Sequence, residues 1–328
     1  MTTRDENSMP TTDDDIAGVI RAAGRRPVPP EAAYEQVLSA ATATWNSKVR
    51  RRRQNIWLGR LAATVAAVSL GLGVWFGFND TPVTVARVTL VRGEVQILGE
   101  DARWQPLLPG NPVMGAGEIR TLGDAGSALR LSSGVQLRVA ADTQLRLLTA
   151  NEIELKSGRL YVDSDRFSVG DDLRLFTAFG EVRDIGTQFQ VDVDSNQLRV
   201  RVREGQVSIN RGGVYVKGAI GEELNIDRQG QVERNPIATH GEPWHWAESL
   251  ADPFEPQQRT LRELLNWVAR ETGYALKMDA SAERSCAAEK LSGRAIELTP
   301  LEALEVHMLS TPTCGYKLDN GTIFVFQR

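Results

Sequence analysis

The sequence predicts a mainly β protein, with a β domain of stacked hairpins, closed as a sandwich or wound as a β-helix-like solenoid, and a small α+β domain behind it. Three observations carry this. Between Val85 and about Val232 apolar and polar residues alternate, and no long run keeps a helical period. A glycine, any residue, then Val or Leu recurs at Gly93, Gly158, Gly180, Gly205 and Gly230, the last four 22, 25 and 25 residues apart, which is room for one hairpin each. From Gln257 the period turns helical and then returns to strand. One transmembrane helix and a short α-helical cytoplasmic segment are expected ahead of the β domain.

Residues 1–55 read as that helical segment. Thr12 can cap a first helix with acids in its first turn and Ile16, Val19, Ile20 and Ala23 at helical spacing. "RRPVPP" breaks it, and Pro30 can open a second helix with Val37, Leu38, Ala41, Trp45 and Val49 along one stripe. Two such helices bury no sizeable core between them. The segment is either a docking element for a cytoplasmic partner or a loosely ordered leader.

Residues 56–78 contain the charge-free run Leu61–Phe78. As a helix it would measure roughly 27 Å, against a bilayer core of ~30 Å. A long leader precedes it and no Ala-x-Ala exit follows, so it reads as an uncleaved anchor. Lys48, Arg50, Arg51, Arg52 and Arg53 crowd the leading flank, and no base follows the run until Arg87. The positive-inside rule then keeps the N-terminus in the cytoplasm and the C-terminus outside, in an inner (cell) membrane protein crossing once.

Formal charge is −4 overall; residues 1–60 hold 10 Lys and Arg against 7 Asp and Glu, +3, which leaves −7 for the remainder. The outer part shows no basic stripe, so nucleic acid is not its partner. His240, His245 and His307 are the whole histidine set, no Cys/His cluster has zinc spacing, and no glycine loop cradles a phosphate before a helix. Neither a metal, a cofactor nor an ordinary enzyme is expected. Cys286 and Cys314 both fall beyond the anchor, where an oxidising compartment permits a disulfide; a reduced, buried pair is the other reading.

The β domain spans 79–235 and a linker 236–256. Residues 257–328 form the α+β domain. There Leu261, Leu264, Leu265 and Val268 share a helical face that Gly273 can close, and "YALKMD" and "KLSGRAIEL" read as strands. Thr299, Pro300 and Glu302 open a second helix, and "YKLDNGTIFVF" reads as a hairpin over Asp319-Asn320-Gly321.

"LFTAFGEVRDIGTQFQVDVDSNQLRVRVREGQVSI", Leu175 to Ile209, resembles the central signature of the FecR family of transmembrane anti-sigma regulators. The matching features are Gly-Thr-x-Phe-x-Val and a strand ending in Glu-Gly-x-Val. The tail is similar to the short N-terminal domain of secretins and TonB-dependent receptors. The resemblance implies signal transduction across the inner membrane of a Gram-negative bacterium, with an extracytoplasmic-function sigma factor as cytoplasmic partner. The signalling domain of an outer-membrane TonB-dependent receptor would be the partner in the periplasm, as in the transcription regulation of iron transport. Some family members split at a Gly-Thr bond matching Gly186–Thr187: the Thr hydroxyl attacks the preceding carbonyl, the acyl group shifts from nitrogen to oxygen as the C–N bond breaks, and water then opens the ester. Asp184 could accept the hydroxyl proton. In the other reading Gly186 and Thr187 are architecture only, a turn and a strand former. A second class of function also fits: a membrane-anchored binding or envelope-assembly module with no signalling role.

Overall fold

A computed structural model describes Gly18, Arg21 and Ala22, all helical, and residues 83–164, 173–184, 186–293 and 298–328. The rest of the segment 1–55, with Lys48 and Arg50 to Arg53, and the span 56–78 lie outside the described residues. Among the described residues no helix is long and apolar enough to cross a membrane.

Among the described residues fifteen strands make the β domain. They are β1 (Thr84–Leu98), β2 (Trp104–Pro106), β3 (Pro112–Met114), β4 (Gly117–Leu131), β5 (Gln136–Val139), β6 (Gln144–Thr149), β7 (Glu152–Asp163) and β8 (Arg174–Thr177). β9 (Gly180–Asp184), β10 (Gln188–Val193), β11 (Gln197–Glu204), β12 (Gln206–Arg211), β13 (Val214–Ala219), β14 (Glu222–Asp227) and β15 (Val232–Pro236) follow.

Register sorts them into two layers, because β1, β4 and β7 each pair with different neighbours along their two halves. The first layer runs β2, the end of β1, the start of β4, β6, the start of β7, β8, β9, β12, β13. The second runs β3, the start of β1, the end of β4, β5, the end of β7, β10, β11, β14, β15. Among the described residues of this domain only β7 and β8 pair in parallel. Alternate residues of both layers meet in one core, from Val88 and Val95 to Leu224 and Ile226. Of the two forms the sequence leaves open, this is the sandwich.

The recurring glycines are of two kinds. Gly180 and Gly230 sit in hairpin turns, whereas Gly93, Gly158 and Gly205 stand at corners where the chain passes between layers. Gly205 shows why a corner needs glycine. Its φ is +76°, and a Cβ there would lie 2.5 Å from Thr187 Cγ2 and 2.7 Å from Gly186 O.

Beyond β15 comes a 3-10 turn (Glu242–Trp244) and a short helix α1 (His245–Glu248). The α+β domain holds α2 (Leu261–Thr272), β16 (Ala275–Met278), α3 (Ala280–Ser285), α4 (Pro300–Leu309), β17 (Cys314–Asp319) and β18 (Thr322–Gln327). Its sheet order is β16-β18-β17, with β16 parallel to β18. Thr260 with Glu263 and Thr299 with Glu302 form complete capping boxes, and Gly273 ends α2 at φ +70°. Leu261, Leu264, Leu265 and Val268 pack on Ile323 and Val325 in a second core. In "KLSGRAIEL" Lys290 bridges to Thr260, and 294–297 lie outside the described residues. Helix α3 is an element the sequence reading does not contain; Asp279 caps it by accepting from the Ala282 N–H at 2.6 Å.

Candidate functional site

Strand alternation sends Leu160, Val162, Val200 and Val202 into the sandwich core and their neighbours to the opposite face. On that opposite face of the second layer stand Arg138 from β5, Tyr161 and Asp163 from β7, Gln190 from β10 and Arg203 from β11. Left alone they would meet water. Residues 238–252 and the end of α2 cover them instead, and Arg138 is only 1% exposed.

Two tryptophans anchor the cover. Trp244 stands edge-on to Tyr161, ring centroids 6.1 Å apart, with its Nε1–H donating to Ala238 O at 2.8 Å. Trp246 Nε1–H donates to Gln190 Oε1 at 2.8 Å. Leu250 packs on Leu90 and Ala128.

Charge pairs fill the space between. Arg138 pairs with Glu271 of α2 and donates to Ala247 O at 3.0 Å. Arg203 pairs with Glu248 at 3.0 Å and donates to Glu271 O and Thr239 O, both at 2.8 Å. Arg270 pairs with Asp163, which also accepts from Gln188 at 3.1 Å. Among the described residues no buried side-chain nitrogen or oxygen lacks a partner. Gly273 belongs to the same fit, since a Cβ there would collide with Thr239 O and lie 2.5 Å from Arg203 Nε.

Burial dominates the electrostatics. It raises the carboxyls of Asp163 and Glu248 above their usual values, against the pull of Arg270 and Arg203 respectively. It also pushes the Tyr161 hydroxyl up to about 12. For Arg138 burial is the largest effect and works to lower the pKa, but the charges of Glu271, Tyr161 and Asp163 and the hydrogen bond to Glu271 together outweigh it and leave the guanidinium held more firmly protonated than usual.

Chemically the arrangement is a latch. It offers no nucleophile beside a base, and its apolar contacts are two small clusters, around Leu250 and around Trp244, set apart from both main cores. Buried ion pairs of this kind contribute little net stability, yet they fix one geometry and punish the loss of either partner.

The Gly-Thr signature forms a second feature, at the corner between β9 and β10. Gly186 is exposed at φ +68°, and Thr187 is buried. The Thr187 N–H donates to Ser164 Oγ at 2.9 Å, and the Ser164 N–H and Oγ–H both reach Thr187 O, at 3.0 and 3.1 Å. With Gly205 packed against Gly186 O, the Gly-Thr and Glu-Gly parts of the signature are adjacent corners of one fold. The side chain of Asp184 lies outside the described residues.

Cys286, after α3, and Cys314, at the start of β17, are joined by a disulfide. His245, between the two anchoring tryptophans, is exposed. Among the described residues no group of His, Cys, Asp or Glu could hold a metal ion. The sequence alone singles out none of the charged latch residues. The one signal it offers is "WHWAE", an aromatic-rich stretch inside what reads as a linker.

The family model described as FecR protein matches residues 117–208. Two crystal structures, at 2.50 and 1.65 Å resolution, of a "putative anti-sigma factor" from Parabacteroides distasonis ATCC 8503 align with 64% of this chain and with 98% and 99% of theirs. Both are 15% identical to it, with a TM-score of 0.35. A cell surface anchoring domain aligns over 20% of this chain and 87% of its own, at 15% identity and a TM-score of 0.19. No curated protein matches. The chain carries a FecR domain, which runs from β4 into β12.

Proposed function

We propose that this chain is a single-pass inner-membrane regulator of a sigma factor of the extracytoplasmic-function type. In this reading its N-terminal helices lie in the cytoplasm and its β and α+β domains in the periplasm, where the signalling domain of a TonB-dependent receptor delivers the signal. The FecR domain over residues 117–208 is the observation that carries the proposal. The apolar run Leu61–Phe78, with basic residues on one flank only, supports the topology.

One membrane helix transmits little except by association, rotation or release, so an element with two states must sit outside and be biased there. The latch built on the Arg138–Glu271 and Arg203–Glu248 pairs suits that role, because it lies apart from both main cores. Splitting at Gly186–Thr187 belongs to the same proposal. On a denaturing gel it predicts two pieces divided near residue 186, and a single band for Thr187→Ala. One full-length band from fresh wild-type membranes would leave the corner as architecture.

A fragment of residues 1–55 tests the output. It should bind a sigma factor from the source organism. If it binds no sigma factor or other cytoplasmic regulator, the signalling role fails and the anchored binding or envelope-assembly reading replaces it.

A further inference from the structure

The two layers of the sandwich do not end together. In the first layer β13 is the last strand; in the second, β14 lies across from it and is followed by β15. Among the described residues no strand of the first layer faces β15, although the Arg211 side chain at the end of β12 donates to Asp227 O at 2.6 Å at the end of β14. The gap is a cavity of about 360 Å³, bounded by Ile209, Val214, Val216, Ile226 and Val232, with Arg211 and Gln229 also in its wall. Ile209 and Ile226 at its floor are buried, while Val214 at its rim is 66% exposed and Val232 37%.

The free edge of β13 borders this gap. The Ala219 N–H is taken by the Glu222 carboxylate at 2.9 Å, away from β12. Backbone groups of a strand repeat every two residues, so Tyr215 and Lys217 turn their N–H and C=O to that same edge. Edge strands are ordinarily guarded by charge or proline. β15 is, by Glu233, Arg234 and Pro236, whereas β13, reading Val-Tyr-Val-Lys-Gly-Ala, has Lys217 within the strand and the Glu222 carboxylate at its Ala219 end.

We infer that the edge of β13 is a strand-acceptor site, which takes one extended segment of another polypeptide. The segment continues the first layer over β15. Every second side chain is apolar and enters the cavity beside Val214 and Val216, and the backbone pairs with Tyr215 and Lys217. A second copy of the β domain does not fit, because its own β14 would come with its β13 and fall where β15 already lies. The inference rests on the layer ends and is independent of the sigma-factor reading.

The test uses the full-length chain in detergent micelles and a fluorescein-labelled peptide, Lys-Thr-Val-Thr-Val-Thr-Val-Thr-Lys. Anisotropy should show saturable binding, and hydrogen exchange should slow at the Tyr215 and Lys217 amides. Lys217→Pro removes an edge N–H while sparing the ladder to β12, and Val214→Lys puts a charge at the exposed rim. Each should weaken binding about tenfold, as losing one or two contacts requires. Absence of saturable binding overturns the inference, as does binding that both variants leave unchanged. Self-association of the chain that Lys217→Pro abolishes would assign the edge to a second copy and overturn it equally.

Discussion

Arg138 has no water to solvate its charge, so its partner decides its energetics. Replacing it by Met leaves Glu271 buried and unpaired, which costs about 3–5 kcal/mol of the docked state, whereas Arg138→Met with Glu271→Leu should recover most of that. Acrylamide quenching of tryptophan fluorescence, sensitive to Trp244 and Trp246, reads the opening. Asp163, facing Arg270, Arg138, Glu271 and Gln188, and Glu248, facing Arg203, His245 and Arg138, both carry raised pKa values. A raised carboxyl favours the docked state most when protonated. This contribution is complete below the free carboxyl range, around pH 4, and is lost as pH rises through the docked values. Quenching should therefore increase from mildly acid to neutral pH, and Asp163→Asn should flatten that rise. Strand alternation in "RVRVREG" places Arg203 on the face away from the core. It could not show that distant residues, Thr239, Glu248 and Glu271, close over that face.

At the scale of elements, local chemistry made some pieces legible and left others hidden. Helix α2 announces itself by the spacing of Leu261, Leu264, Leu265 and Val268 before Gly273, and α4 by Thr299 with Glu302; the structure adds a capping box at Thr260 and Glu263. The Thr260 N–H and hydroxyl, with Arg259, hold Glu263 down to about 2. Its support for α2 is present above the ordinary carboxyl value and is lost only as pH falls towards 2. Helices α1 and α3 are too short to show a period, and packing rather than propensity fixes them. The disulfide closes a loop with its cysteines 28 residues apart. Its removal by Cys286→Ser with Cys314→Ser should cost the α+β domain about 3.5 kcal/mol by chain entropy, read from urea unfolding. Labelling of unreduced, denatured protein should find no thiol. Gly205→Ala should destabilise the β domain by roughly 1–3 kcal/mol, since it combines a left-handed φ with a clash against Thr187.

For the molecule as a whole, the even spacing of Gly158, Gly180, Gly205 and Gly230 was legible but its meaning was not. Spacing counts residues per hairpin and is blind to which glycine turns a hairpin and which passes the chain between layers. The sandwich follows only from register, as where the start of β7 pairs with β6 and its end with β5 and β10. The same blindness hid the latch, because contacts between Arg138 and Glu271 span 133 residues. Cross-linking in intact cells, from a photoreactive residue at Trp45 and another at Tyr215, addresses the central claim most directly, for it samples both sides of the membrane in one chain. The account predicts a sigma factor joined at residue 45 and only extracytoplasmic protein joined at residue 215. Cytoplasmic protein captured at residue 215, or no sigma factor at residue 45 when every sigma factor of the cell is expressed, would contradict it.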